Sequence, residues 1–211
     1  MNFESAQSYL LGLINEHASR RSPNRLDRIR AFIAALGEPQ LQYPTLHVAG
    51  TSGKGSTATM LAAALEASGK RVGLHTKPHL ASPAERMRVN GTPIAEDAFG
   101  ELLEEMVPVI DRVAGDHGRP SYYETLLALS FVAFARAEVD VAVIEAGIGG
   151  RLDGTNVVAG RALLAERPLA NLHTAETMDE AAALVVRLAR EPAPAAGASV
   201  SDVGGGPTDA G

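Results

Sequence analysis

Apolar positions along this chain switch between helical and strand spacing, and the order of the switches predicts the architecture. Leu10, Leu11, Leu13 and Ile14 form an apolar side over residues 4–18, which predicts a helix. Leu26, Ile29, Ile33 and Leu36 repeat at helical spacing and end at Gly37. After the linker 38–43, the run 46–49 reads as a strand, 58–68 as a helix capped by Gly69, and 71–76 as the next strand. Residues 87–89 and 92–94 flank Asn90-Gly91, a pair that accepts the positive φ angles of a type I′ turn, so a hairpin is expected. Helices over 96–114, with a bend at Pro108, and over 123–137 precede a strand, 139–145. That strand is apolar except for Asp140 and ends on the Glu145 carboxylate. Strands alternating with helices predict an α/β fold with a mostly parallel sheet flanked by helices and a small hairpin excursion.

From Ala159 the pattern changes. Residues 159–168 carry no glycine loop, and Thr177-Met-Asp-Glu180 reads as a capping box for a half-buried helix running to about Arg190. Beyond Pro192 the chain is rich in Pro, Ala, Gly and Ser, has little to bury, and is expected to be disordered.

Composition narrows the class. The 211 residues exceed the ~100–150 typical of one domain, which fits one α/β unit with appendages. Hydrophobic residues make up 45%, but aromatics only 4% with no Trp, so the core is expected to be mostly Ala, Leu, Val and Ile. The absence of Cys excludes disulfides, thiolate metal sites and a cysteine nucleophile. A net charge of −6 argues against nucleic-acid binding. The start, Met-Asn-Phe-Glu-Ser, lacks a basic region followed by an apolar core, and no apolar run nears the ~20 residues of a membrane span. A cytoplasmic location without membrane contact is expected.

The chemistry concentrates at residues 46–57, Leu-His-Val-Ala-Gly-Thr-Ser-Gly-Lys-Gly-Ser-Thr. An apolar run opening through a glycine-rich turn into a helix makes a phosphate site from backbone N–H groups and the helix's positive end. Gly50, Thr51, Ser52, Gly53, Lys54, Gly55, Ser56 and Thr57 are the expected cradle, with Lys54 as a point charge and Ser56 or Thr57 as a hydroxyl for Mg²⁺. The extra glycine between Lys54 and Ser56 departs from G-x-x-x-x-G-K-[ST] and argues against the common P-loop kinases and GTPases. The competing reading, a plain turn with an exposed lysine, is disfavoured by three glycines around one lysine at a strand-to-helix junction. Glu145, ending a strand and followed by glycines, is a candidate Mg²⁺ ligand opposite the loop, since ligands of parallel sheets gather at the carboxyl ends of strands.

Other candidates are less specific. Arg151, Asp153 and Asn156 either bind an anionic or heteroaromatic substrate or stabilise their turn. Tyr122 and Tyr123 open a helix, to stack on a planar ligand or to pack in the core. His79 is either a site residue or, as lone loop histidines more often are, structural, and Glu85, Arg86 and Arg88 are expected to form local ion pairs.

Five blocks in order, His47–Ser56, Gly73–Leu80, Glu85–Gly91, Ser121–Glu124 and Asp140–Val158, resemble the folylpolyglutamate and dihydrofolate synthases of the Mur-ligase superfamily. The resemblance implies a Mur-ligase central domain, here truncated, and an ADP-forming ligase. ATP phosphorylates a pteroate or folate carboxylate, and the amino group of L-glutamate attacks the acyl phosphate to form an amide. It further implies catalytic roles for Lys54 and Glu145, magnesium at Ser56 and Glu145, and a pterin near Asp153 and Tyr123, with Arg151 also facing substrate. ATP and Mg²⁺ are the implied cofactors and a monomer is expected. Two departures stand out: Lys77 occupies the place of a metal-binding serine, and the family pattern stops after Val158. Residues 1–158 are therefore expected to be an incomplete ATP-binding domain, 159–190 a remnant of the family's C-terminal region, and 191–211 a tail. A catalytically silent Mg·ATP-binding fragment is the alternative to an active ligase.

Overall fold

The computed structural model describes residues 1–14, 25–147, 153–158, 172–173 and 187. Its elements run α1 (Phe3–Gly12), α2 (Arg25–Ala35), β1 (Thr45–Val48), α3 (Lys54–Ala67), β2 (Val72–His75), β3 (Met87–Val89) and β4 (Thr92–Pro93). Then follow α4 (Glu96–His117), α5 (Tyr122–Arg136), β5 (Val141–Glu145) and β6 (Leu172–His173). The strands form one sheet in the order β4-β3-β2-β5-β1-β6. Its β2-β5-β1-β6 part is parallel, and the β3-β4 hairpin joins antiparallel. The expected α/β architecture, with its hairpin excursion, is the one observed. Asn90 (φ 49°) and Gly91 (φ 72°) are both left-handed, as a type I′ turn demands.

Side-chain alternation explains the layers. On β5, Val141 and Val143 pack with Ala58, Ala62 and Leu65 of α3, whereas Ala142 and Ile144 join the larger core under α2, α4 and α5. β5 is therefore buried along its whole length, which accounts for its unbroken apolar run. On β2, Val72 and Leu74 face α3. Gly73 and His75 point the other way, toward Phe134 and Ser130 of α5.

Helix ends depart from the expected bounds for local reasons. α1 stops at Gly12 because the Leu13 N–H turns to the Leu10 carbonyl and the Ile14 N–H to that of Leu11, closing the last turn early; the expected continuation over 15–18 lies outside the described residues. α4 runs past Ala114 to His117 as one helix through Pro108, ending at Gly118 (φ 80°). Its apolar stripe, Phe99, Leu102, Leu103, Met106, Ile110 and Val113, spans both sides of the proline, so burial outweighs the lost hydrogen bond. Ser121 and Glu124 form a capping box that starts α5. Glu124, 2% exposed, also takes a bidentate pair from Arg28 Nε (2.9 Å) and Nη2 (3.0 Å), which ties α2 to α5. The helix expected over 177–190 and the tail lie outside the described residues, apart from Arg187. No described helix is long and apolar enough to cross a membrane.

Candidate functional site

The carboxyl ends of β1, β5 and β2 lie level, with Val48 opposite Glu145 and Ile144 opposite His75. From this edge the chain leaves β1 through Ala49–Ser52 and enters α3 at Lys54, four residues earlier than expected. Gly53 is the N-cap in a left-handed conformation (φ 72°) that favours glycine. It offers no capping side chain, so the first-turn N–H groups of α3 face the loop without one. That leaves them for an anion. Lys54 reaches back across the turn and donates from Nζ to the Gly50 carbonyl at 3.1 Å.

Glu145 sits opposite. A Cβ on Gly55 would lie 3.4 and 3.5 Å from its two carboxylate oxygens, so the extra glycine of the loop is what lets the helix start approach this carboxylate. The carboxylate is 6% exposed and its Oε2 accepts the Lys77 amide N–H at 2.8 Å. The exposed Ser56 follows directly. An open groove of about 520 Å³ is lined by Gly55, Ser56, Thr59, Met60, Thr76 and Lys77. These hard oxygen donors fit Mg²⁺, an ion held by one or two protein oxygens with the rest from phosphate and water. Among the described residues no group of three or more His, Asp or Glu side chains forms an all-protein metal cage.

Lys77 and Asp153 each approach a second glycine, Gly147. A Cβ on Gly147 would collide with the Lys77 ammonium and stand 3.1 Å from Asp153 Oδ2. Asp153 is buried, and its Oδ1 accepts from the Thr155 amide (2.9 Å) and hydroxyl (2.6 Å). Because that hydroxyl donates to Asp153, it accepts from His47 Nε2 at 2.8 Å. Burial holds His47 below the usual imidazole range, opposed by the Asp153 charge and reinforced by that of Lys77. His75 is pushed down to about 3, first by burial and then by the charges of Lys77 and Arg86. Its Nδ1 donates to Ser130 Oγ (2.8 Å), which itself donates to the Leu126 carbonyl.

A second cluster gathers Arg86, His79, Tyr122 and Tyr123. The Arg86 guanidinium, on a buried residue, lies 5.5 Å from the Tyr123 ring centre and 6.0 Å from that of Tyr122, and donates to His79 Nδ1 at 2.8 Å. Arg stacking on aromatic faces is favourable. Tyr123 is 56% exposed. The expected ion pairing of Glu85, Arg86 and Arg88 does not form: Glu85 instead accepts the backbone N–H groups of Leu80, Ala81 and Ser82. Those donors, that of Leu80 foremost, hold its carboxyl down at about 2. Arg88 bonds to the Glu85 carbonyl.

Gly55 thus brings the start of α3 against Glu145, and Ser56 lines the groove beside Gly55, while Lys54 turns back to the Gly50 carbonyl. Asp153 lies near them through Lys77, and Tyr123 belongs to the second cluster. Arg151 lies outside the described residues. Sequence reasoning missed the His47–Thr155–Asp153 chain and the placement of Lys77. The only available signal was Gly147, a small residue just beyond a strand-end carboxylate.

No protein-family model matches the chain. It is 43% identical over 141 residues to the dihydrofolate synthase/folylpolyglutamate synthase of Mycobacterium tuberculosis, covering 63% of this chain and 29% of that protein. The solved folylpolyglutamate synthase of the same organism, complexed with ADP, superposes with a TM-score of 0.67 at 38% identity, over 74% of this chain and 34% of that one. A folylpolyglutamate synthase complexed with AMPPCP and folate gives a TM-score of 0.68 at 36% identity, over 74% and 38%. The chain spans about a third of the length of these relatives. In sequence and in fold alike, it is related to the folylpolyglutamate/dihydrofolate synthases over the part of their length that it spans.

Proposed function

We propose that this chain binds Mg·ATP and belongs to an ADP-forming ligase that joins L-glutamate to a pteroate or folate carboxylate. The observation that carries the reading is the approach of the Glu145 carboxylate to the start of α3 across Gly55. That approach sets a carboxylate beside the first turn of α3, on the edge where parallel sheets take ligands, and so supports a metal there. In this reading residues 50–57 cradle the phosphates, Lys54 neutralises the terminal ones, and Ser56 and Glu145 hold magnesium. The metal, when bound, draws charge from the phosphate oxygens as the phosphoryl group moves to the carboxylate. The protein's part is positional: glycine-loop amides orient the phosphates, and Lys54 steadies the charge that builds during transfer. Asp153, Tyr123 and Arg151 are proposed to face the pterin side. Residues 1–158 form the ATP-binding unit, 159–190 a remnant of the family's C-terminal region, and 191–211 a tail. A monomer in the cytoplasm fits this chemistry.

The alternative reading is nucleotide binding without ligation. Titration calorimetry of Mg·ATP into the purified chain tests the first step, with Lys54→Ala as control. Glutamate-dependent ADP release with dihydropteroate or a folate tests the second. Binding without glutamate-dependent release selects the silent reading. No heat from Mg·ATP, with the chain folded, refutes the nucleotide site.

A further inference from the structure

Arg86 carries a positive charge into the interior without a carboxylate to meet it. The residue is 5% exposed, and among the described residues no Asp or Glu forms an ion pair with it. Glu85, its neighbour in the chain, has its carboxylate committed to the Leu80, Ala81 and Ser82 amides. Arg86 Nε donates to His79 Nδ1 at 2.8 Å, and the guanidinium carbon stands 6.0 and 5.5 Å from the Tyr122 and Tyr123 ring centres. The rings offset part of the cost of burying the charge. The two terminal nitrogens, however, find no acceptor among the described residues. Neither belongs to the fully enclosed polar atoms that lack a partner, so the fork keeps an opening. A buried cation left in this state is destabilising until an anion completes it.

We propose that Arg86 and Tyr123 form a docking site for the carboxylate of a planar aromatic acid. The inference deepens the acceptor side of the reading above, but the dock itself needs no nucleotide. Its place suits that role: the Thr76 amide donates to the Arg86 carbonyl at 3.3 Å, which sets Arg86 at the carboxyl end of β2, beside the groove residues Thr76 and Lys77. A guanidinium fork matches a carboxylate through two parallel N–H···O bonds, and a monoanion suits a lone cation. His79, by accepting from Nε, holds the guanidinium in place, so its terminal donors are preorganised. Tyr123, more than half exposed, offers ring surface to an aromatic body, and Tyr122 packs edge-on to it at 5.4 Å and steadies its angle.

Benzoate is the probe, titrated into the full chain without nucleotide and followed by the Arg86 Nε–H resonance and by the thermal unfolding midpoint. The unmodified chain should show a saturable shift of that resonance and a midpoint that rises with benzoate. Arg86→Met should lose the rise. Arg86→Lys, which keeps the charge but not the fork, should bind benzoate roughly tenfold more weakly. Tyr123→Ala, at an exposed position outside the core, should weaken benzoate while leaving the fork in place. L-Glutamate, which has carboxylates but no ring, should bind more weakly than benzoate, and inorganic phosphate should not displace benzoate from Arg86. Circular dichroism establishes that each variant is folded. Equal responses to benzoate and L-glutamate, displacement by phosphate, or undiminished benzoate binding by folded Arg86→Lys would overturn the proposal. So would an Arg86 resonance that ignores benzoate, even where calorimetry shows Mg·ATP bound. Benzoate bound at Arg86 with no heat from Mg·ATP would uphold the dock and remove the nucleotide reading alone.

Discussion

Adding a single methyl group at Gly73 should cost this fold about 1 kcal/mol net, and the reason is visible in one contact. Gly73 lies on β2, between two neighbouring strands, with its face toward α5. A Cβ there would meet the Phe134 ring at 2.7, 2.8 and 2.9 Å. Carbon atoms rest at ~3.5–4.0 Å, so strand and ring must part by roughly 1 Å. The ring has little freedom to yield. Phe134 is fully buried and packs edge-on to Tyr43 at 6.3 Å, and the Tyr43 hydroxyl is tied to the Phe131 carbonyl at 3.2 Å. Overpacking of this kind costs ~1–3 kcal/mol, against which Gly→Ala gains ~0.4–1 kcal/mol by restricting the unfolded chain. Urea unfolding followed by far-UV circular dichroism suits a chain without Trp. With a slope of ~1–3 kcal/mol per molar urea, the midpoint of Gly73→Ala should fall by roughly 0.5 M at unchanged slope. Adding Phe134→Leu should recover part of the loss, so the double variant is more stable than the sum of the single costs. A Gly73→Ala midpoint equal to or above that of the unmodified chain refutes the packing argument.

Three further outcomes are expected. Glu124→Ala should destabilise by ~3–5 kcal/mol, because it strands the half-sheltered Arg28 guanidinium; Arg28→Met/Glu124→Leu should regain most of this in the same urea assay. Burial holds His75 neutral, lowering its imidazole from the ordinary 6.5 to about 3, so the unfolded chain binds the extra proton between those values. Its contribution is therefore complete above about pH 6.5 and declines toward pH 3, with a slope of up to ~1.4 kcal/mol per pH unit. His75→Gln should flatten the pH dependence of the urea midpoint in that window, and an unchanged curve would contradict the neutral assignment. Gly55→Val should fill the space in front of Glu145 and abolish calorimetric binding of Mg·ATP while the thermal unfolding midpoint stays within a few degrees. Undiminished binding would remove Glu145 from the site.

What the sequence made legible was governed by periodicity and by residues with only one conformational use. The fully apolar β5 and the Asn90-Gly91 turn were plain because burial and positive φ leave few alternatives. The start of α3 was misplaced because Gly55, Ser56 and Thr57 are poor helix formers, and the helix is held there by its packing against the sheet instead. At Pro108 a local rule lost to a long apolar stripe. The loop and Glu145 could be paired in advance because both fall at strand ends, a position that topology alone assigns. Contacts between polar side chains far apart in sequence, such as Arg28 with Glu124 and His47 with Thr155, carry no periodic signal. They were therefore invisible until the fold was in hand, and so was the turn of Lys77 over Gly147.

The strand order has a consequence for how this molecule comes into being. β1 and β2 are joined by α3 yet do not touch as strands; β5 lies between them. A polypeptide emerging from the ribosome would present the glycine turn early and hold it in an unfinished half-sheet until α4, α5 and β5 had all followed. Assembly of the central sheet then depends on inserting its most apolar strand late, between partners already made, a slow and long-range closure. Stalling before Glu145 would leave two open strand edges and an unformed cleft.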